Sequence, residues 1–285
     1  MKDPCTLCIR GHDLGVKGTE SIIERVRELG LDGLQLVCYK SYDDIPYAPG
    51  AITAERAREI GTALNRGGAT PLLLGAYFNP VHSDRAKARR CFDIFADYLR
   101  AAQCFGCMYV GSETGSYNDE PWIYHPRNRT EEAYELVADT FGRLADIAAE
   151  NEVNIAMEGA AGHVCWSPEI LDMVIRRMGR PNVYVTFDLY NYMDAGNQHD
   201  YLSILDRGLE LFGQRIKFFH VKDCLLRSDG SAPKQVGFGK GDLDKREILR
   251  RIKAAHPDAI LVLEGTTGED LPFAVKTVRE IWETV

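Results

Sequence analysis

The sequence predicts an α/β fold, a (β/α)8 (TIM) barrel of one domain over residues 1–285. Three observations predict it. Eight short apolar runs alternate with eight amphipathic helical patterns, the arrangement that gives parallel strands with helical crossovers. The runs stay apolar along their length, as strands covered on both faces do. The segment after the first run, Arg10-Gly-His-Asp-Leu-Gly-Val-Lys-Gly18, does not fit the GxGxxG phosphate loop, which argues against an open doubly wound sheet.

The strands are expected near 5–10, 33–38, 71–77, 107–112, 153–158, 183–188, 216–222 and 259–264. The first helix starts at Thr19, read as its capping residue. It places Ile22, Ile23, Val26 and Leu29 at helical spacing and ends at Gly30. The second runs from Thr53 to Leu64 and stops at Arg66-Gly-Gly; the third covers 84–103. Thr130-Glu-Glu puts carboxylates at the start of a helix over 130–150, where the helix dipole favours them. Ser167-Pro-Glu opens the next with proline in its first turn. The last three fit 200–212, 245–255 and 269–283. Long loops over 114–129 and 223–244 are expected to wall the mouth of the barrel.

The chain is 45% hydrophobic and 27% charged with a net charge of −8, a balance that suits a soluble protein and not a nucleic-acid or membrane-surface partner. No apolar stretch reaches the ~18 residues of a membrane span. The start, MKDPCTLCIRGHD, lacks a secretory apolar region, so a cytoplasmic location is expected. Cys5-x-x-Cys8 and Cys104-x-x-Cys107 have zinc-ribbon spacing, but they fall at strand and helix positions and read as small buried thiols.

Chemistry in such a barrel sits at the C-terminal ends of the strands. Four runs, NIAMEGAAGH, VYVTFDLYN, IKFFHVKD and AILVLEGTTG, stay apolar until they reach Glu158, Asp188, His220 and Glu264. One carboxylate at a strand end is as readily a helix cap or an ion-pair partner. Four such residues at successive strand ends are harder to explain as caps, because the three carboxylates among them would repel one another unless a cation lay between them. Three carboxylates and one imidazole suit Mn2+ first, with Mg2+, Co2+ and Zn2+ also accommodated.

Glu158 with His163 downstream, Asp188-Leu-Tyr-Asn191, His220-Val-Lys-Asp223, Gly239-Lys-Gly-Asp-Leu-Asp244 and Glu264 resemble the xylose isomerase-like TIM-barrel superfamily along nearly the whole chain. That superfamily includes sugar isomerases, ketose 3-epimerases, inosose dehydratases and endonuclease IV. The resemblance implies that Glu158, Asp188, His220 and Glu264 hold one metal. It also implies that Glu158 and Glu264 serve as the acid/base pair of an enediolate mechanism. Asn191 stands where several relatives carry a histidine; it can bond a substrate hydroxyl but is a poor metal ligand.

Further substrate-binding candidates are Lys222, His163, Glu113, Trp166 and His12. Lys222 lies two residues beyond His220 on one strand face, although a salt bridge explains it as well. Glu113 is read as orienting a ligand or as a cap. Asn79 and His82 are lesser pocket candidates, and His125 and His199 read as ordinary loop histidines. The expected function is a metal-dependent isomerase or epimerase on a monosaccharide or polyol ketone. An inosose-dehydratase-like lyase on the same metal site is the alternative. A nuclease of the endonuclease IV kind ranks below both, because it needs more histidines and a DNA partner. No phosphate nest is visible beyond Arg227 and Lys234, so an unphosphorylated sugar is expected. The resemblance also implies a homo-oligomer, dimer or tetramer.

Overall fold

The computed structural model describes residues 5–285; Met1–Pro4, the start of the segment read for targeting, lie outside the described residues. Seven parallel strands come first: β1 (Thr6–Arg10), β2 (Gly33–Leu36), β3 (Thr70–Gly75), β4 (Tyr109–Glu113), β5 (Asn154–Glu158), β6 (Val183–Asp188) and β7 (Ile216–Val221). A small antiparallel hairpin follows, β8 (Asp223–Leu225) and β9 (Lys234–Val236), and then β10 (Ile260–Leu263). β10 pairs with both β7 and β1 and closes the barrel, in the order β1-β10-β7-β6-β5-β4-β3-β2.

The crossover helices are α1 (Thr19–Leu29), α3 (Ala54–Gly67), α4 (Arg85–Phe105), α5 (Glu131–Glu150), α6 (Pro168–Met178), α7 (Tyr201–Phe212), α8 (Lys245–Ala255) and α9 (Asp270–Thr284), with one extra turn, α2 (Cys38–Ser41), after β2. Local chemistry sets their ends. Thr53, Asp84, Thr130, Ser167 and Asp244 accept backbone N–H groups of their first turns. Thr19 does not cap its helix. Gly18 takes that position without a side-chain bond, and the Thr19 hydroxyl lies 3.2 Å from the Tyr42 hydroxyl instead. The run expected as strand to residue 38 ends at Leu36, because Lys40, Ser41 and Tyr42 already make helical backbone bonds.

Strand parity positions the site. Cys8, Leu73, Ala156, Phe218 and Val262 form a small apolar cluster of their own, one residue from each of five strands. The next residue of the same parity lies two positions on. That step reaches Arg10 from Cys8, Glu158 from Ala156, His220 from Phe218 and Glu264 from Val262. The apolar layer thus forms the floor beneath a polar layer at the C-terminal rim.

The 223–244 segment is not a structureless loop. Besides the hairpin, the buried Asp223 carboxylate accepts the N–H groups of Cys224, Gly239 and Gly241 at 2.8–3.0 Å and the Lys245 ammonium at 3.0 Å. The other long connection is tied at its base, where Asn79 donates to the Ser116 carbonyl at 2.6 Å and the buried Asn128 donates to Ser116 and Gly162. Among the described residues no helix is long and apolar enough to cross a membrane.

Candidate metal and substrate site

Glu158, Asp188, His220 and Glu264 converge, each buried, with donor atoms all within 4.8 Å of one another. His220 Nδ1 faces the three carboxylates at 2.7 Å (Glu264), 3.2 Å (Glu158) and 3.5 Å (Asp188). Its other nitrogen, Nε2, is 2.7 Å from the Oε1 of the fully buried Gln35. The Gln35 amide nitrogen in turn donates to the Tyr77 hydroxyl. With Nε2–H occupied in this way, Nδ1 is the nitrogen left to meet a cation. Two atoms each about 2.1 Å from one ion lie at most about 4.2 Å apart, so a slight contraction closes the set around a single divalent ion. Three oxygens and one imidazole nitrogen fit such an ion. No other group of this kind occurs among the described residues, and all eight cysteines are free thiols; Cys5, Cys8 and Cys107 are buried as expected, whereas Cys104 is partly exposed.

The two glutamates differ in their surroundings. The Glu264 Oε1 is held by Arg10 at 2.7 Å and Lys222 at 2.8 Å. Burial alone would raise the Glu264 carboxyl, but Lys222, His220 and Arg10 outweigh it and hold the group well below the usual carboxylate range. Among the described residues the ion-pair partner in direct contact with Glu158 is His220, and the Glu158 Oε1 accepts from the Asn191 amide at 2.7 Å. Burial, added to by the Glu113 and Glu264 carboxylates and opposed by His220, pushes Glu158 up to about 7. Burial works against protonated His220 and Lys222, yet the carboxylates around them raise both.

These groups open onto a cavity of about 380 Å3 lined by Arg10, His12, Glu113, Glu158, Asn191, Lys222 and Glu264 at one end. Lys222 lines the cavity, bridges Asp188 and Glu264 at 2.8 Å each and donates to Asn191 Oδ1 at 3.0 Å, so the ion pair expected of it is present. The His12 ring is half-buried, its Nδ1 has no protein partner, and burial with Arg10 nearby lowers it to about 4, so it stays neutral. His163 is buried behind the cavity, edge-on to Trp122 and 4.0 Å from Glu113.

Trp166 is not among the cavity residues. Its indole donates to the Tyr134 hydroxyl at 3.2 Å and lies under the Arg129 guanidinium at 4.2 Å, facing an outer groove with Ser167 and Arg207. The tryptophan of the cavity is Trp122, carried in by the loop after β4. Asn79 and His82 do line it; His125 and His199 do not.

Sequence reasoning missed Arg10, Gln35, Tyr77 and Trp122. A signal existed for two of them. Gln35 is the one polar residue in the buried run Gly33-Leu-Gln-Leu36, and Arg10 closes the first apolar strand as the glutamates close theirs.

A family model described as xylose isomerase-like TIM barrel matches residues 23–283. Among curated proteins, an inosose dehydratase of Geobacillus thermodenitrificans is 23% identical over 172 residues, 54% of this chain and 56% of that protein. The chain thus spans about half the length of the curated relatives it matches. A solved D-tagatose 3-epimerase-like protein superposes with a TM-score of 0.76 at 17% identity, covering 98% of each chain. A xylose isomerase-like TIM barrel protein from Mycobacterium smegmatis, in complex with magnesium, superposes at 0.72 with 15% identity over 99% of this chain and 97% of its own. At these identities the superpositions establish the shared fold.

Proposed function

Since this chain belongs to the xylose isomerase-like TIM barrel family, we propose that it is a divalent-metal-dependent isomerase or epimerase acting on a monosaccharide or polyol ketone through an enediolate. The observation that carries this reading is the convergence of three carboxylates and the His220 Nδ1 on one buried point at the end of a cavity. Glu158, Asp188, His220 and Glu264 are the ligands, with Mn2+ as the first choice of ion. The bound ion would act as a Lewis acid, lowering the charge cost of an enediolate.

The chain's own residues do the rest. Glu158, raised toward neutrality, removes the proton from the carbon beside the carbonyl, and that electron pair moves into the carbon–carbon bond. Asn191 holds the Glu158 carboxylate in place. The Lys222 ammonium, 2.8 Å from Glu264 Oε1, supplies a proton that Glu264 relays to the opposite face of the planar intermediate, inverting the carbon, and the proton that Glu158 took up restores the ammonium through solvent. His12 and Glu113 are positioned at the same end to meet substrate hydroxyls.

One observation favours a second reading. The Lys222 ammonium stands inside the cluster, 2.8 Å from two of its carboxylates, where it can protonate a departing hydroxyl so that it leaves as water. That is the chemistry of a lyase on the same metal site, and the relative named inosose dehydratase is of that class. Incubating Mn2+-loaded protein with ketoses and inososes in D2O separates the two. Deuterium incorporated without loss of water identifies an isomerase or epimerase, and an ultraviolet-absorbing enone-type product identifies the lyase. Absence of exchange with every compound would remove the enediolate mechanism.

A further inference from the structure

Tyr77 lines the cavity beside the cluster and has no part in the chemistry described so far. Its place follows from a missing side chain. Two residues beyond Leu73 of the apolar floor stands Gly75, which brings nothing to the polar layer. The Tyr77 ring uses that room, since a Cβ on Gly75 would lie 2.8 Å from it. The Tyr77 carbonyl accepts from the Tyr47 hydroxyl at 2.9 Å, and the Tyr77 hydroxyl reaches Gln35.

That last bond has a fixed direction. The Gln35 Oε1 faces His220 Nε2, so the amide nitrogen is what meets Tyr77, and it donates. The phenol oxygen accepts and keeps its own proton. Among the described residues no hydrogen bond takes that proton up. Burial, with the Glu158, Glu264 and Glu113 carboxylates adding and Arg10 opposing, raises the hydroxyl well above its usual 10, so it stays a neutral donor.

Strand order shows what it faces. Between β5 and β10, which lead to Glu158 and Glu264, one arc of the barrel carries Asp188 and His220 on β6 and β7. The other arc carries β3, from which Tyr77 follows. A substrate held between the two glutamates thus has the remaining metal donors on one side and Tyr77 on the other. We propose that Tyr77 is a further catalytic residue, its O–H donating to a substrate oxygen at the reacting carbons from the side opposite Asp188 and His220. The proton stays on Tyr77 throughout. The bond strengthens as the acceptor gains negative charge, so it favours the enediolate over the ketone. The proposal rests on the enediolate reading for that charge.

Glycolohydroxamate, an anionic two-carbon mimic of an enediolate, tests it by calorimetry on Mn2+-loaded protein. Tyr77→Phe keeps the ring over Gly75 and removes only the hydroxyl. The unaltered protein is expected to bind the compound, and Tyr77→Phe to bind it at least about tenfold more weakly, as for a lost hydrogen bond to an anion. The Mn2+ affinity of Tyr77→Phe is expected to be unchanged, because the Gln35–His220 bond remains. Equal glycolohydroxamate affinities, or no binding by the unaltered protein, would overturn the proposal. So would a matching loss of Mn2+ affinity, which a purely structural role produces. Deuterium exchange separates this from the enediolate reading. Exchange on a ketose, with glycolohydroxamate bound equally by both proteins, removes the Tyr77 role alone. A tenfold loss in Tyr77→Phe, without exchange on any ketose or inosose, leaves the Tyr77 hydrogen bond standing and removes the enediolate reading alone.

Discussion

Gln35 Oε1 lies 2.7 Å from His220 Nε2, and this bond decides which nitrogen the imidazole presents to the carboxylates. A protonated imidazole and a neutral, metal-bound one both keep the Nε2–H that Gln35 accepts, so its amide needs no reorientation when a cation replaces the proton on Nδ1. The same orientation turns the amide N–H2 to the Tyr77 oxygen, leaving the Tyr77 hydroxyl proton free to donate.

The Gln35→Leu protein is therefore expected to fold and to bind Mn2+ roughly 10- to 100-fold more weakly by calorimetry. Gln35→Glu, which keeps an acceptor for Nε2–H, is expected to restore most of the loss. Unchanged affinity in Gln35→Leu would show that the bond does not position His220.

Arg10 and Asp13 form a bidentate pair at 3.0 Å each, and Asp13 also accepts the Gly265 N–H at 2.8 Å. Removing the guanidinium leaves a buried carboxylate with one neutral partner. Arg10→Met is expected to cost about 3 kcal/mol of stability in urea unfolding. Adding Asp13→Leu is expected to recover part of that, since the stranded charge goes with it. Purely additive effects in this double-mutant cycle would mean that the two residues do not act as a pair.

Two helix glycines are predicted to respond oppositely to alanine. A Cβ on Gly61 in α3 would lie 2.6 Å from the Phe105 carbonyl group of α4, so Gly61→Ala is expected to destabilise by roughly 1–3 kcal/mol. A Cβ on Gly142 in α5 meets nothing within 4 Å, so Gly142→Ala is expected to stabilise by about 0.5–1 kcal/mol. Thermal unfolding of the two variants side by side checks both signs.

His256 is buried at the end of α8, its ring 5.2 Å from that of Phe219. Burial, with Lys217 adding and Asp258 opposing, holds its pKa below the usual 6.5. The unfolded chain then binds the proton more readily than the folded one. The stability due to neutral His256 is present above pH 6.5 and is lost as pH falls below it. The drop in Tm between pH 7.5 and pH 5.5 is expected to be smaller in His256→Phe than in the unaltered protein; an equal or larger drop would contradict the assignment.

Cys104 is the one cysteine that is not buried, while burial pushes the Cys38, Cys107, Cys165 and Cys224 thiols up to about 12. A native-state thiol titration is expected to label Cys104 rapidly and the other seven only on unfolding. Fast labelling of the Cys104→Ser protein would show that a buried thiol becomes accessible.

The barrel was legible in the chain because each of its units is local. An apolar run of four to six residues between amphipathic helices has few places to go except a strand covered on both faces. Polar residues ending four such runs are legible for the same reason, so Glu158, Asp188, His220 and Glu264 stand out without any contact being known. Closure of the barrel decided the rest. Bringing β1 beside β10 puts Arg10 on Glu264, 254 residues away in the chain, and bringing β2 across from β7 puts Gln35 on His220. The difference between the two glutamates arises there, from which cations closure delivers to each. The choice of tryptophan was decided in the same way. Trp166 is nearer to Glu158 in sequence, but Tyr134 and Arg129 hold it outside, whereas the bonds at Asn79, Ser116 and Asn128 fold Trp122 over the cavity. The sequence by itself determined the fold class and the donors at four strand ends, because strand periodicity and apolar patterning are properties of neighbouring residues. Only the tertiary structure decided the charge on each donor and the shape of the cavity beside it, because Coulomb interactions and burial depend on distances that chain order does not contain.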